Sequence, residues 1–228
     1  MKNDQSKTEE KTYKNISLDE AIKILPELSK SKFIGSVDID IVLNLKEKQK
    51  KESIRGNVTL PFSLGDDKKV IVLCEEKDET IALKAGATKA GLQSLVDELM
   101  QGFNDFDIVI ATPSVMPQII RLGKVLGPKG LMPNPKNGTI TMEIAKTVES
   151  FKAGKINFKS TPDQGTIRMK VAKVDMKSEQ VKENIVALLK AVFAETKKFA
   201  SNPFKKVTLS PTMGAGVKLD IGDIIKYL

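Results

Sequence analysis

The chain contains no histidine, no tryptophan and a single cysteine, Cys74, among its 228 residues. Without histidine, a His-based catalytic triad is impossible and most transition-metal sites lose their usual ligands. One cysteine cannot form an intramolecular disulfide, and such low cysteine usage is typical of a reducing compartment. We therefore expect no metal and no cofactor, and we expect Cys74 to be a packed thiol, because no histidine can act as its base.

Long apolar runs are also missing. None approaches the roughly 18–20 residues that a membrane-spanning helix needs. The first 15 residues are polar and contain acids, unlike a secretory signal or an Arg-rich transit peptide. We therefore expect no membrane partner and a cytoplasmic location, with an organelle as the alternative.

Aromatic residues are scarce, with nine phenylalanines and two tyrosines, whereas positive charge is in surplus. Lysine and arginine number 37 against 29 acidic residues, which gives a net charge of +8. This surplus suggests a polyanionic partner, although it is also common in proteins that have none. With so few aromatic rings, stacking on splayed single-stranded bases is a poor primary binding mechanism.

The two ends of the chain have the pattern of amphipathic helices and strands. Ser17 is a candidate N-cap for a helix over 18–29, and apolar residues alternate with polar ones over 37–45, which predicts a half-buried strand. Further predicted elements are strands at 54–60, 156–159, 166–174 and 203–210, and a long helix to about Lys198 with Ser178 as its candidate N-cap. These segments are α+β in character.

The middle of the chain has a different pattern. Lys69–Cys74 and Asp107–Ala111 are short apolar runs typical of buried parallel strands. Helices are predicted near 78–84, 94–101, 114–122 and 141–153. The fold class is therefore α/β and α+β in two domains: a split α+β domain (1–66 plus 157–228), and an inserted doubly wound, Rossmann-like domain (67–156). The two connections, near residues 66 and 156, are candidate hinges.

The segment Arg121–Thr141 is the least ordinary in the chain. It holds four glycines, three prolines and four cations but no acid. Because of the glycines and prolines we expect a shaped loop outside regular structure. Its exposed amides and Lys124, Lys129 and Lys136 could contact phosphates, although a rigid connector carrying ordinary surface lysines is the alternative. The glycine spacing fits neither of the common nucleotide-binding loops.

Two other short segments have the residue types of an RNA-binding surface. In Lys30–Ser36, Lys32 suits a phosphate, Phe33 a base or ribose and Ser36 a 2′-hydroxyl. The alternative is that Phe33 anchors the core. In Ser210–Gly216 the glycines permit close backbone approach and Met213 can pack on a flat surface, although the segment could equally be a simple turn.

The run LGPKGLMPNPKNGTIT closely resembles the signature of the ribosomal protein L1 family of the large ribosomal subunit. Three further features fall in the family order, namely Lys32-Phe33 before a Ser-Val-Asp strand, Arg55-Gly56 leading to Leu60-Pro61, and Thr212-Met213-Gly214. The resemblance covers roughly residues 15 to 220 and is closest to the bacterial or organellar branch.

The resemblance implies a split domain with an inserted domain, and a monomer that binds a folded stalk of large-subunit rRNA on the ribosome. It also implies help in releasing deacylated tRNA from the exit site, and repression of the protein's own mRNA. The RNA-binding residues that it carries over are Lys32, Phe33, Ser36, Lys159, Arg168, Thr212, Met213 and Gly214.

The sequence departs from the family pattern at four places. Arg168 and Phe62 stand where many members have histidine, Pro211 replaces a hydroxyl residue, and the loop 160–165 is about one residue longer. A different function also remains open at this point, a nucleotide-using enzyme on the inserted α/β domain, whose crevice is a natural ligand site. The missing nucleotide loop and the missing histidine argue against this alternative.

Overall fold

The structure is a computed structural model that describes residues 13, 15–29, 31–45, 54–65, 68–162, 164–199 and 202–228. The polar segment 1–12, the lysine-rich run 46–51 and the candidate hinge at 66 lie outside the described residues. Within these ranges, no helix is both long and apolar enough to cross a membrane.

The described chain forms two β-sheets with helices packed on them. The strands are β1 Ser36–Leu43, β2 Arg55–Thr59, β3 Val70–Leu73, β4 Lys89–Gly91, β5 Ile108–Ala111, β6 Lys155–Thr161, β7 Thr166–Lys173, β8 Phe204–Pro211 and β9 Val217–Lys218. The helices are α1 Leu18–Leu28, α2 Glu76–Lys84, α3 Gln93–Met100, α4 Met116–Ile119, α5 Gly123–Lys129, α6 Ile144–Lys152, α7 Ser178–Thr196 and α8 Ile221–Ile225. Short 3-10 turns occur at Pro113–Val115, Ile120–Leu122 and Pro135–Asn137.

The larger sheet is antiparallel, with six strands in the order β2-β6-β7-β1-β8-β9. The alternation that predicted β1 is confirmed, because every second residue from Val37 to Leu43 is buried. Helices α1, α7 and α8 pack on this sheet, and its buried face and these helices share one core. The opposite face carries the half-buried Asp38 and Asp40 of β1, and we call it the open face.

The smaller sheet is parallel, with three strands in the order β4-β3-β5. Alternate residues of β3 face two different cores: Ile71 and Leu73 join one with α3 and the segment 115–126, whereas Val70 and Val72 join the other with α2 and α6. Helices therefore cover both faces of a buried parallel sheet, as the apolar runs predicted.

The expectation that residues 121–141 lie outside regular structure is wrong for their first part. Gly123–Lys129 forms helix α5, because Leu122 and Leu126, four residues apart, both bury into the core and hold a helical turn there. Gly130, at φ 72°, ends this helix in the left-handed conformation that glycine favours. Gly130 ends α5 and Gly138 ends the 3-10 turn 135–137, whereas Gly127 and Pro128 lie inside α5.

Smaller differences concern the element ends. The helix expected over 114–122 is divided into 3-10 and α-helical turns, and the helix expected from Thr141 begins at Ile144. Ser17 caps α1 as predicted, by accepting a hydrogen bond from the Glu20 amide. The prediction that Ser178 caps α7 is wrong, because Ser178 is the first residue of that helix and Lys177 is its N-cap. The short elements β4, β9 and α8 were not predicted, because two to five residues carry too little periodicity.

Gly123→Ala is expected to stabilise the protein by about 0.5–1 kcal/mol, since glycine in a helix has more freedom to lose on folding than alanine. Gly123 has helical dihedrals, and a Cβ there would meet no atom within 4 Å. Gly130→Ala is the matched control: the space is equally open, but φ of 72° should make alanine cost about 1 kcal/mol. Urea unfolding should show a higher free energy of unfolding for Gly123→Ala and a lower one for Gly130→Ala. Equal shifts in the two variants would contradict the assignment of Gly123 to a helix.

The Cys74 thiol is expected to be unreactive in the native protein. Burial raises its pKa from 9.0 to about 11; a hydrogen bond with the Gly91 backbone opposes this shift, and the Asp78 and Glu79 carboxylates add to it. At pH 8 roughly one thiol in a thousand is then ionised, and the residue is fully buried. A disulfide reagent such as DTNB should react rapidly in urea but negligibly under native conditions. Fast native labelling would show that the β3 end opens.

Candidate nucleic-acid interface

Two turns that are distant in sequence meet at one end of the large sheet. Residues 31–36 lead from α1 into β1, and residues 211–214 follow β8, the strand paired with β1. The Thr212 hydroxyl accepts a hydrogen bond from the Ser36 amide at 2.9 Å and donates one to the Ser36 carbonyl oxygen at 3.1 Å. The Thr212 amide donates to the same carbonyl at 2.9 Å. These bonds join residues 176 positions apart, and we call residues 31–36 and 211–214 the paired-turn surface.

Large apolar side chains project from this surface into solvent. Phe33 is 60% exposed and Met213 is 76% exposed, so the alternative that Phe33 anchors the core is wrong. The Ser31 hydroxyl donates to the Phe33 carbonyl at 2.8 Å, which fixes the turn. Ile34, 64% exposed, was missed in the sequence analysis. The sequence held one signal for this residue: an isoleucine next to a phenylalanine in a segment without helix or strand periodicity.

The backbone of the second turn is constrained at two residues. Met213 has φ of 60°, a left-handed conformation that is uncommon for a side chain without a local hydrogen-bonding group. The Gly214 amide donates to the Pro211 carbonyl at 2.9 Å, and a Cβ at Gly214 would lie 2.5 Å from the Leu28 carbonyl oxygen. The end of α1 thus requires glycine at this position, and the turn then holds Met213 outward.

The other residues predicted to bind RNA are spread more widely. Lys32 is exposed beside Phe33, and Ser36 is half-buried under Thr212. Arg168 lies on β7 opposite Asp40, and its Nε is 3.0 Å from a carboxylate oxygen of that residue. Lys159 lies on β6, opposite Arg55 of the edge strand β2. The structure therefore brings together Phe33, Ser36 and 212–214, and places Arg168 and Lys159 farther along the open face.

Carboxylates moderate the charge of this open face. Asp38 stands opposite Lys170 on β7, and Asp40 stands opposite Arg168. Burial raises the pKa of the Asp38 carboxyl, the nearby Asp40 charge adds to the rise, and Lys170 opposes it. The open face thus carries charges of both signs rather than a broad basic patch.

The three lysines of the 121–141 segment are all exposed. Lys124 lies on α5, Lys136 lies in the 3-10 turn 135–137, and the Lys129 ammonium donates to the side-chain oxygen of Asn104. Their exposure is compatible with phosphate contact and equally with ordinary surface lysines.

The carboxyl ends of β3 and β4, where an α/β fold usually binds a nucleotide, are acidic. A pocket of about 550 Å³ there is lined by Glu75, Glu76 and Glu79 together with Lys77 and polar residues of α3. Three carboxylates would repel a phosphate group. No group of three or more potential ligands among the described side chains could hold a metal ion.

Residues 25–215 match the family model described as "Ribosomal protein L1p/L10e family". The chain belongs to this family. Among its relatives, the large ribosomal subunit protein uL1 of Photobacterium profundum is 39% identical over 212 residues, 92% of this chain and 91% of the relative. The protein of the same name from Lactobacillus delbrueckii subsp. bulgaricus is 41% identical over 205 residues, 90% of this chain and 88% of the relative.

Membership in the L1p/L10e family confirms the resemblance read from the sequence. The chain is a ribosomal protein of the large subunit and not an enzyme, so the nucleotide-using alternative is wrong. The relatives come from bacteria, which agrees with the expected location on cytoplasmic ribosomes.

Proposed function

We propose that the protein binds the folded rRNA stalk of the large ribosomal subunit through the paired-turn surface. The observation that carries this proposal is the pair of hydrogen bonds between Thr212 and Ser36, which fix Phe33 and Met213 in exposed positions. Exposed apolar side chains clustered on a rigid backbone are typical of an interaction surface. Family membership indicates that the partner is ribosomal RNA.

The chemistry of this surface suits a folded RNA. Such RNA is recognised through its shape, its 2′-hydroxyls and its phosphates, rather than through base edges in a deep groove. Lys32 would contact a phosphate, whereas Phe33, Ile34 and Met213 would cover sugar or base surfaces. The Ser36 hydroxyl would meet a 2′-hydroxyl. Arg168 and Lys159 would extend the contact along the open face of the sheet.

The proposal includes two finer functions. By binding a mobile stalk, the protein would assist the release of deacylated tRNA from the exit site. By binding a copy of the stalk structure in its own mRNA, it would repress its own translation. If one surface serves both RNAs, a substitution in the paired turns should weaken both complexes in parallel, which a competition assay between the two RNAs would measure.

We also propose that the chain folds as two domains, 1–66 plus 157–228 and an insertion over 67–156. Support comes from the cores: the large sheet has one core with α1, α7 and α8, while the parallel sheet has two cores of its own. Strand β6 begins at Lys155, so it crosses the second proposed boundary. A variant lacking 67–156, closed by a short glycine linker, should retain stalk binding.

Thr212→Val tests the binding proposal with little change in shape. Valine removes the hydroxyl that both accepts from and donates to Ser36, so stalk binding should weaken about tenfold or more. Thr139→Val is the matched control, because the Thr139 hydroxyl likewise accepts from the amide and donates to the carbonyl of one residue, Asn134, outside the paired-turn surface and the open face. Filter binding to a stalk transcript and to a scrambled RNA of equal length would measure both.

Two results would refute the binding proposal: equal affinity for the stalk and the scrambled RNA, or unchanged stalk affinity in Thr212→Val. The salt dependence supplies a further expected outcome. If ~4–6 phosphates are neutralised, the log–log slope of affinity against salt should be about −3 to −5. A slope near zero would exclude the phosphate contacts.

A further inference from the structure

A second cavity, separate from the paired turns, lies between the edge of the large sheet and the glycine-rich segment. It has a volume of about 540 Å³ and is lined by β2 and β6 on one side and by residues between Gly127 and Asn137 on the other. The 3-10 turn 135–137 packs against β2. This volume is in the range of small-ligand sites in proteins.

The register of β2 and β6 aligns polar residues beside this cleft. Arg55 stands opposite Lys159, Asn57 opposite Asn157, and Thr59 opposite Lys155. This register places Arg55, Lys155 and Lys159, all three of which line the cleft, on one face of the two strands and gives the cleft a positive potential.

The remaining charges reinforce this positive potential. Lys68 also lines the cleft, and its ammonium donates to the Lys155 carbonyl at 2.8 Å. The Lys155 ammonium lies beside Gly138, 3.2 Å from where a Cβ would stand. Asp107 is the one carboxylate among the described lining residues, and one of its oxygens accepts from the Lys69 amide at 2.9 Å. Among the described residues that line the cleft, four are cationic and one is acidic.

Two amide side chains in the cleft have unused hydrogen-bonding capacity. The Oδ1 atoms of Asn137 and Asn157 are buried, and neither has a hydrogen-bond partner in the described part of the chain. Buried polar atoms are nearly always paired, so each unpaired one calls for an explanation. A ligand that offers hydroxyl donors near an anionic group would satisfy both amides.

We propose that this cleft is a binding site for a ribonucleotide unit. The phosphate would lie between the cations of β2 and β6, and the ribose hydroxyls would donate to Asn137 and Asn157. The unit has two possible sources, a free nucleotide or one residue of an RNA strand. This site gives the 127–138 segment a role that the paired-turn surface does not supply.

Isothermal titration calorimetry on the full chain at constant ionic strength tests the proposal, with AMP, deoxy-AMP, inorganic phosphate and a pentaadenylate RNA as probes. The cleft variant is Arg55→Gln/Lys155→Gln, and its matched control is Lys205→Gln/Lys206→Gln, which removes the same charge from exposed positions on β8. Each charge-assisted hydrogen bond lost should weaken AMP binding about tenfold, with the control unchanged. Deoxy-AMP should bind more weakly than AMP.

Asn157→Ala adds a variant of unaltered charge, which should weaken AMP but leave inorganic phosphate unaffected. Binding of AMP indicates a free nucleotide as the source, and binding of pentaadenylate alone, lost in the cleft variant, indicates an RNA strand. The proposal fails if no probe binds the wild type, or if the cleft and control variants lose equal affinity. Thr212→Val should leave AMP binding intact. The proposal for this cleft and the proposal for the stalk interface can therefore fail independently of each other.

Discussion

Met213→Gly is expected to weaken stalk-RNA binding by about tenfold to a hundredfold while leaving the protein at least as stable as the wild type. Burying a methionine side chain contributes about 1.5–3 kcal/mol, which corresponds to this range of affinity. The side chain is 76% exposed in the free protein, so its removal takes little from the folded state. Any loss of RNA affinity would therefore report a contact with RNA.

The backbone conformation at residue 213 explains why Met213→Gly should not destabilise the protein. Met213 has φ of 60°, and a left-handed conformation costs a residue with a side chain about 1–2 kcal/mol. Glycine adopts it freely but loses more entropy on folding, about 0.5–1 kcal/mol. The two effects leave a net stabilisation between about zero and 1.5 kcal/mol, which urea unfolding would measure.

Two matched variants separate the effect of losing the Met213 side chain from the effect of relieving the backbone strain. Met213→Ala loses the same contact but keeps the left-handed strain, so it should bind RNA as weakly as Met213→Gly without the gain in stability. Met142→Ala removes a methionine that is 83% exposed in the segment before α6. It should bind RNA normally. Normal RNA binding by Met213→Gly would remove this residue from the interface.

Local patterns predicted the framework of the fold, because their causes are local. The alternation over 37–45 gave β1, the hydroxyl of Ser17 gave the start of α1, and the apolar runs gave β3 and β5. Helix α5 was missed because its stability comes from burial of Leu122 and Leu126 in a tertiary core, which outweighs the low helix propensity of Gly127 and Pro128.

The candidate site was predictable by residue type but not by geometry. Lysine, phenylalanine and the Thr-Met-Gly triplet drew attention to two separate segments, yet nothing local shows that Thr212 bonds to Ser36, 176 residues away. The exposure of Phe33 depends on where the turn 31–36 leaves α1, which is also a tertiary property. The partial ion pairing of Arg168 with Asp40 required the β1–β7 register.

Gly214→Ala is expected to destabilise the protein by about 1–3 kcal/mol and to reduce stalk-RNA binding, because a Cβ has no room there. It would lie 2.5 Å from the Leu28 carbonyl oxygen and 2.5 Å from the Pro211 Cγ, closer than non-bonded atoms approach. The Leu28 oxygen belongs to the backbone at the end of α1, so the turn itself must shift.

That shift is what couples stability to RNA binding in Gly214→Ala. Movement of Gly214 displaces Met213 and strains the Thr212–Ser36 hydrogen bonds, which together order the paired-turn surface. The alanine variant at Gly123, where no atom lies within 4 Å, should instead gain stability and bind RNA normally. Urea unfolding and stalk binding should therefore fall together at Gly214. If the free energy of unfolding and the affinity for stalk RNA were both unchanged, α1 would have moved to make room for the new methyl group. The close approach of Gly214 to α1 would then not position the paired-turn surface.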